Sequence, residues 1–302
     1  MKVVVLSRAP NIYSTRRIVS VARRRGHNVV IHDPTTLSIS IAHDTPRVYH
    51  GDDEVRGVDA VIPRIGTSVT YYGLAVLRQF EMQGAAVLNS ASGIGSARDK
   101  LRCHQVLGAG GVPMPDTAFS RRAGGCGATR DVGEGPLVIK LLDGTQGKGV
   151  MLAQSRIEAR SIIDAFQAID EHILIQRFIA ECAGKDIRAF VVGREVVAMM
   201  ERQAEPGTGE FRSNLHMGGT ARAIPHSASI ARVALRATKL LGLDVAGVDV
   251  LVGNAGPMII EVNPCPGLEG IEGSTGVNVA GRMIEALEGK ALGAPARKRA
   301  RA

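Results

Sequence analysis

Short apolar runs alternate with amphipathic stretches along the first 95 residues. Val3–Leu6, Asn28–Ile31, Asp59–Ile65 and Val87–Leu88 predict strands, while Tyr13–Arg25 and Tyr72–Gln83 predict helices that stop at Gly26 and Gly84. That alternation is the pattern of a small open α/β sheet. From Ser96 the rhythm changes. Ser96–Gly111 predicts one helix, and Ile157–Gln167, Ser227–Leu241 and Val277–Glu288 predict three more. Strands are expected at Pro136–Leu142, Val150–Leu152, Ile173–Phe178, Asp186–Val192 and Glu195–Glu201. Here strands mix with helices instead of alternating, which indicates α+β. Arg121–Gly135 is rich in Gly and Arg and reads as a loop or weak hairpin; Glu205–Gly219 is polar and without a period.

The segment Val245–Glu269, VAGVDVLVGNAGPMIIEVNPCPGLE, carries most information. Two apolar runs flank a Gly-Asn-Ala-Gly-Pro turn, which predicts a β-hairpin. Folded about Ala255, it sets Asp249 opposite Glu261. Asn263 shares the face of Glu261, because strand side chains alternate with a period of two. Facing carboxylates destabilise a hairpin, and buried ones are costly unless neutralised. A hard divalent cation neutralises them, and a short set of oxygen ligands with room for water and phosphate suits Mg²⁺. The competing reading is a half-exposed hairpin with its charges in water.

Other candidates are weaker singly. Lys140 closes the apolar strand PLVIK and leads into Asp143-Gly144-Thr145-Gln146-Gly147-Lys148-Gly149-Val150. Closely spaced glycines let backbone N–H groups approach phosphate oxygens. The spacing is not that of a Walker A motif and a strand follows, so the segment reads as a flap between two strands, or as a plain hairpin turn. Lys100 stands early in a predicted helix. Asp186 and Arg188 share one face of a predicted strand; alone they read as a surface ion pair worth ~0–1 kcal/mol. Arg212-Ser213-Asn214 lies in the irregular polar segment. Arg64 closes a first-domain strand, where open α/β sheets place ligands. The eight histidines do not cluster at ligand spacing, no Ser-His-Asp set appears, and the first strand-to-helix turn, SRAPNIYS, is not a dinucleotide fingerprint. Two lysines and a glycine flap for a triphosphate, with an Asp/Glu/Asn set for metal, fit phosphoryl transfer by positioning and charge neutralisation.

Length and composition narrow the class further. The 302 residues allow two or three domains. No apolar run nears the ~18 residues of a membrane span, and the apolar stretch in MKVVVLSRAP is too short for a signal peptide; a cytoplasmic protein without a membrane partner is expected. The four cysteines, Cys103, Cys126, Cys182 and Cys265, form no CxxC pair and fit reduced thiols. The net charge of +8 is partly local, in the tail ARKRARA at residues 296–302. Aromatics make up 3% and Trp is absent, so stacking platforms are scarce and direct nucleic-acid binding is not expected.

The order of LNSASGIGSARDK, PLVIKLLDGTQGKGV, DIRAFVVG, FRSNLHMGG, AGVDVL and IIEVNPCPGLEGIE, preceded by VIPRIGTSVTYYGLAVLRQFEMQG, resembles the ATP-grasp carboxylate–amine ligases over residues 1 to about 288. The resemblance implies a pre-ATP-grasp α/β domain over 1–95 and an ATP-grasp domain over 96–288. That second domain would be two α+β lobes with ATP between them, and the basic tail 289–302 is expected to be disordered. It implies that Lys100 and Lys140 contact ATP phosphates under a flap that includes Gly144, Gly147 and Gly149. Arg177 and Phe178 would form the hinge to adenine, and Asp186, Arg212, Ser213 and Asn214 would complete the nucleotide pocket. Asp249, Glu261 and Asn263 would bind two Mg²⁺ or Mn²⁺ ions. Arg188 would face the transferring phosphate or the acyl intermediate, with Lys140 as the second catalytic group. Arg177 stands where the family often carries an acid, and Cys265 replaces a small residue.

Within the family, the likeness is to the branch that adds L-glutamate, through an acyl phosphate, to the C-terminus of a small-subunit ribosomal protein, once or several times. A homo-oligomer is expected from the same resemblance. Three alternatives stand beside it: ligation of an amino acid to a carrier protein, glutamate addition to a folate-like or deazaflavin cofactor, and an inactive ligase scaffold that binds ribosome or RNA. Intact Lys140, Asp249, Glu261 and Asn263 argue against the last.

Overall fold

The computed structural model describes residues 1–42, 45–120, 131–133, 135–142, 149–205, 207, 210–213 and 218–293. The sixteen strands among them fall into four sheets. The first is fully parallel, in the order β2 (Asn28–His32), β1 (Lys2–Leu6), β6 (Ala60–Pro63), β7 (Ala86–Val87). The sequence KVVVL is apolar on both faces because both are covered. Val3 and Val5 meet Ile18 and Ala22 of the Tyr13–Arg24 helix and Ile284 of the closing Val279–Gly293 helix. Val4 and Leu6 share the other core with Leu74, Leu77 and Phe80 of the Thr70–Met82 helix. The C-terminal helix therefore completes the N-terminal sheet.

Periodicity predicts no element over residues 33–58, yet β3 (Leu37–Ala42), β4 (Thr45–His50) and β5 (Asp53–Glu54) form a small antiparallel sheet there. Its strands are largely exposed, so no sustained apolar alternation marks them. The next two sheets are antiparallel. One runs β10 (Val150–Ala153), β9 (Leu137–Leu141), β11 (Ile173–Arg177), β8 (Thr117–Ser120), backed by the Arg156–Ala168 helix. The other runs β14 (Thr220–Ala223), β13 (Glu195–Gln203), β12 (Lys185–Val192), β15 (Val245–Gly253), β16 (Gly256–Asn263). The Ala228–Leu241 helix covers one face of that sheet; the Glu269–Thr275 and Val279–Gly293 helices cover the other. No described helix is long and apolar enough to cross a membrane.

The single helix expected over Ser96–Gly111 is two, Ala91–Arg98 and Lys100–Ala109. Asp99 between them is extended, and its carboxylate accepts from the Arg102 N–H at 2.9 Å. An aspartate that satisfies a free N–H of the first turn makes a stronger helix start than a helix interior. The break puts Lys100 at the first position of the second helix. The 143–148 segment, with Gly144 and Gly147, lies outside the described residues, as do Asn214 and the tail from 294. Gly149 is described: its φ is 73°, and a Cβ there would lie 2.7 Å from Leu141 Cδ1. Only glycine fits both conditions.

Asn89 ties the first domain to the last sheet. Its Nδ2 donates to Val245 O and Pro264 O, and its Oδ1 accepts from Asp244 N and Val245 N, all at 2.7 Å. The residue is 1% exposed, so a truncated side chain strands four backbone groups. Asn89→Ala is predicted to lower stability by about 2–4 kcal/mol, read as a drop in the urea midpoint at unchanged slope.

Candidate active site

A cavity of about 1110 Å³ opens between the β10-β9-β11-β8 sheet and the β14-β13-β12-β15-β16 sheet and reaches the C-terminal end of the parallel one. Among the sequence-derived candidates, Lys100, Lys140, Arg177, Phe178, Asp186, Arg212, Ser213, Asp249, Glu261 and Asn263 line it. Arg188 and Gly149 do not; Gly144, Gly147 and Asn214 lie outside the described residues. Eight basic side chains against four acidic ones line the wall, a balance that suits a polyanion.

The β15–β16 hairpin turns through Gly253–Gly256, half a residue earlier than a fold about Ala255. A bulge at Ile260 then adds one residue, so Asp249 still pairs with Glu261 and Gly247 with Asn263. Asp249 is buried and fully engaged. Arg188 donates from Nε and Nη2 to its two oxygens, both at 2.7 Å, and Arg202 Nη2 lies 2.9 Å from Oδ2. Arg202 also grips Asp186 through two bonds, that of Nε to Oδ1 being 2.7 Å. Register explains the set, for Arg188 faces Asp249 across β12–β15 and Asp186 faces Arg202 across β12–β13. The surface Asp186–Arg188 pair is thus corrected: the two share a face, but each pairs across to a neighbouring strand, and Asp186 is buried. Arg188, expected to face the transferring phosphate or the acyl intermediate, is here the bidentate partner of Asp249.

These contacts set the charges. Burial favours the neutral form of Asp249, but Arg188 and Arg202 together hold its carboxyl below the usual range. Burial, then the Asp249 charge, raise Asp186 despite Arg202 and a Ser213 hydrogen bond. Glu261 differs in kind. Its side chain opens onto the cavity and makes no hydrogen bond or ion pair among the described residues. Surrounding protein and Asp249 raise its pKa, opposed by Arg188, Lys140 and Lys100. Asn263 Oδ1 accepts from Cys265 N at 3.0 Å and keeps one lone pair. One unpartnered carboxylate and half an amide oxygen are few donors, and no group of three or more His, Cys, Asp or Glu poised for a metal exists among the described residues. The set fits an ion that takes most of its shell from water and phosphate, as Mg²⁺ does.

Lys140 Nζ donates to Gln176 Oε1 at 2.7 Å. Gln176 is itself fixed, with Nε2 donating to Thr117 Oγ1 at 2.9 Å and facing His104 Nε2 at 3.4 Å. His104 Nδ1 bonds Lys100 O at 2.8 Å, which assigns the proton to Nδ1. Burial pushes Lys140 down to about 8, with Glu261 opposing and Lys100 assisting. Lys100 Nζ donates to Leu141 O and Leu142 O at 2.9 and 2.7 Å, at the edge of the 143–148 segment. At the hinge, Arg177 N and Phe178 N donate to Asp116 O and Pro136 O, so neither N–H is free for a base. The Arg177 side chain is exposed and 3.5 Å from Asp116. Phe178 meets Phe211 edge-on at 6.1 Å. Arg212 lies over Phe211 and pairs with Glu210 at 2.6 Å.

Arg202, Gln176 and Phe211 were not expected. Arg202 had only a partial signal, as an arginine in the strand EVVAMMERQ: folding about Gly193-Arg194 sets Glu201 opposite Asp186, and a bulge at Val197 shifts the count by one so that Arg202 takes that place. Gln176 and Phe211 had none.

The fold is that of ATP-grasp proteins with a pre-ATP-grasp domain. A model of the RimK-like ATP-grasp domain matches residues 97–287, and one of the RimK pre-ATP-grasp domain matches 1–94. The chain belongs to the RimK-like ATP-grasp family. A probable alpha-L-glutamate ligase of Azotobacter vinelandii is 50% identical over 289 residues, 95% of each chain. One from Serratia proteamaculans is 48% identical, over 95% of this chain and 96% of its own. Among solved structures, the ATP-grasp ligase PsnB complexed with minimal precursor superposes with a TM-score of 0.75 at 20% identity, over 96% of this chain and 98% of its own. The D-alanine–D-alanine ligase from Bacillus anthracis complexed with ATP gives 0.70 at 16%, over 97% of each.

Replacing Arg202 by Met leaves two buried carboxylates against Arg188 alone. The variant is predicted to lose about 3–5 kcal/mol of stability, and adding Asp186→Asn to recover part of it, both read by urea unfolding.

Proposed function

We propose that this protein is an ATP-dependent carboxylate–amine ligase that joins L-glutamate, once or several times, to the C-terminal carboxylate of a small-subunit ribosomal protein. The observation that carries the reading is the cation-rich cavity in which the unpartnered Glu261 carboxylate faces Lys140 and Lys100. The glutamate-ligase names of relatives near 50% identity support the donor. A peptide acceptor is in keeping with PsnB, which is described with a precursor peptide.

ATP lies between the lobes with its phosphates toward Lys140 and Lys100. The acceptor carboxylate attacks the γ-phosphorus; a new O–P bond forms, the bond to the β-phosphate oxygen breaks, and ADP leaves. The amine of glutamate then attacks the acyl carbon, phosphate departs, and the nitrogen gives up a proton. Glu261 and Asn263 would hold Mg²⁺ beside Asp249, the third expected ligand, whose oxygens are here taken by Arg188 and Arg202; the ion supplies charge neutralisation for the phosphates. Asp249, gripped by Arg188 and Arg202, keeps β15 in register so that Glu261 faces the cleft. Lys140 adds a positive charge held by Gln176 instead of by a carboxylate, so it remains available to phosphate oxygens. The Phe178–Phe211 pair offers an apolar wall for a base.

Two outcomes are expected. Incubated with ATP, Mg²⁺ and glutamate, the acceptor shows by mass spectrometry a ladder spaced by one glutamate residue; an unchanged mass across candidate acceptors contradicts the reading. ATP binding also follows Lys140. With a free-state pKa of about 8, the charged form that attracts phosphate is full below pH 7 and lost above 8. Calorimetry with a non-hydrolysable ATP analogue is therefore predicted to show binding about tenfold weaker at pH 9 than at pH 7, and Lys140→Arg to flatten that slope.

A further inference from the structure

Arg64 is a cation that the reaction above leaves unused. It follows β6, at the C-terminal end of the parallel sheet, and lines the cavity on the side of the first domain. Its Nη1 donates to Pro266 O at 2.8 Å. Its Nε is buried without a hydrogen-bond partner. Arg98 lines the same wall and donates to the carbonyls of Ile65 and Gly66 and to the Thr70 hydroxyl. Among the described residues neither guanidinium is paired with a carboxylate, whereas buried Arg202 has two aspartates; Lys140, like them, has a neutral partner, Gln176. Burial penalises the Arg64 charge and the neighbouring Arg98 adds to the penalty, while Cys265 opposes it. A half-buried guanidinium pair held only by neutral oxygens is costly, and the cost is relieved by an anion entering from the cavity.

Position narrows the kind of anion. The loop that follows Glu261 and Asn263 rests on this corner: Pro266 O takes the Arg64 bond and Cys265 Sγ lies 3.6 Å from Pro63 O. The corner therefore sits beside the candidate metal-binding strand, on the wall formed by the first domain and away from the Phe178–Phe211 side. Thr67, Ser68 and Thr70 line the same wall. Planar forks with hydroxyl neighbours recognise carboxylates through paired N–H donors.

We propose that Arg64, backed by Arg98, binds a carboxylate of the substrate that is not itself activated, and so makes the enzyme selective for an acidic amino acid or an acidic acceptor end. This rests on the glutamate-ligase reading. Two sources share the chemistry, the spare carboxylates of the incoming glutamate and an acidic residue near the acceptor's C-terminus. Arg64→Gln removes the charge but keeps a donor for Pro266 O; Arg64→Lys restores the charge.

The test is steady-state ADP release by the full-length protein, with ATP, glutamate and acceptor varied in turn. Arg64→Gln is expected to raise KM for one carboxylate-bearing substrate at least about tenfold, with KM for ATP within twofold of the wild type and partial recovery in Arg64→Lys. A rise for glutamate assigns the donor, and a rise for the acceptor assigns the acceptor end. The wild type must also discriminate against the neutral analogue of that substrate, glutamine or isoglutamine for the donor and an amide-bearing end for the acceptor. A wild type that uses neutral analogues as well as acidic ones overturns the proposal without any variant. So does an Arg64→Gln enzyme with unchanged KM values for both substrates. Absence of glutamate-dependent ADP release in the wild type overturns the ligase reading itself, a different outcome from either.

Discussion

Asp249 between Arg188 and Arg202 is the constraint on which the site depends. Four charged side chains, two acids and two guanidiniums, are packed together across β13, β12 and β15. Such a set adds little net stability over an apolar core, because desolvation cancels most of the attraction. Its effect is on position. Any slip of β12 against β15 or β13 separates a bidentate pair, so only one register satisfies all four groups. That register puts Glu261, directly across from Asp249, on the cavity face with no partner of its own. The network thus absorbs one carboxylate of the hairpin and leaves the other free to receive a cation.

The remaining walls are fixed to the same hairpin. Asn89 bonds the backbone at Val245, where β15 starts, and at Pro264, just past β16. Arg64 bonds Pro266 in the loop after β16. Buried Glu272 accepts from Tyr13, Arg17 and the Ala280 N–H, joining the first helix to the closing one. The N-terminal domain therefore belongs to the site and is no mere appendage. It supplies the wall of the cavity that carries Arg64 and Arg98.

The hairpin carried a strong sequence signal, since two apolar runs about a glycine turn leave few ways to pair, and the carboxylates then stand out against their neighbours. The pairing survived a misplaced turn centre only because the Ile260 bulge restores the count. The charge network was hidden for a different reason. Periodicity says which face a residue takes, but not which of two neighbouring strands a charged side chain pairs across, so Arg202 passed unnoticed and Asp186 and Arg188 read as partners. The break at Asp99 was concealed because the flanking residues are all adequate helix formers, and only the cap decides. Asn89, in LNSAS, looks like any polar turn residue; its four bonds depend on strands more than 150 positions away.

The central claim is that Glu261, opposite a neutralised Asp249, holds the metal that meets the nucleotide phosphates. The most direct measurement is a crystal grown with Mn²⁺ and a non-hydrolysable ATP analogue, with the ion located by its anomalous scattering. The account predicts an anomalous peak at bonding distance from the Glu261 carboxylate and a phosphate oxygen, with Arg188 and Arg202 still on Asp249. A metal peak remote from Glu261, or a nucleotide bound with that carboxylate bare, would contradict it.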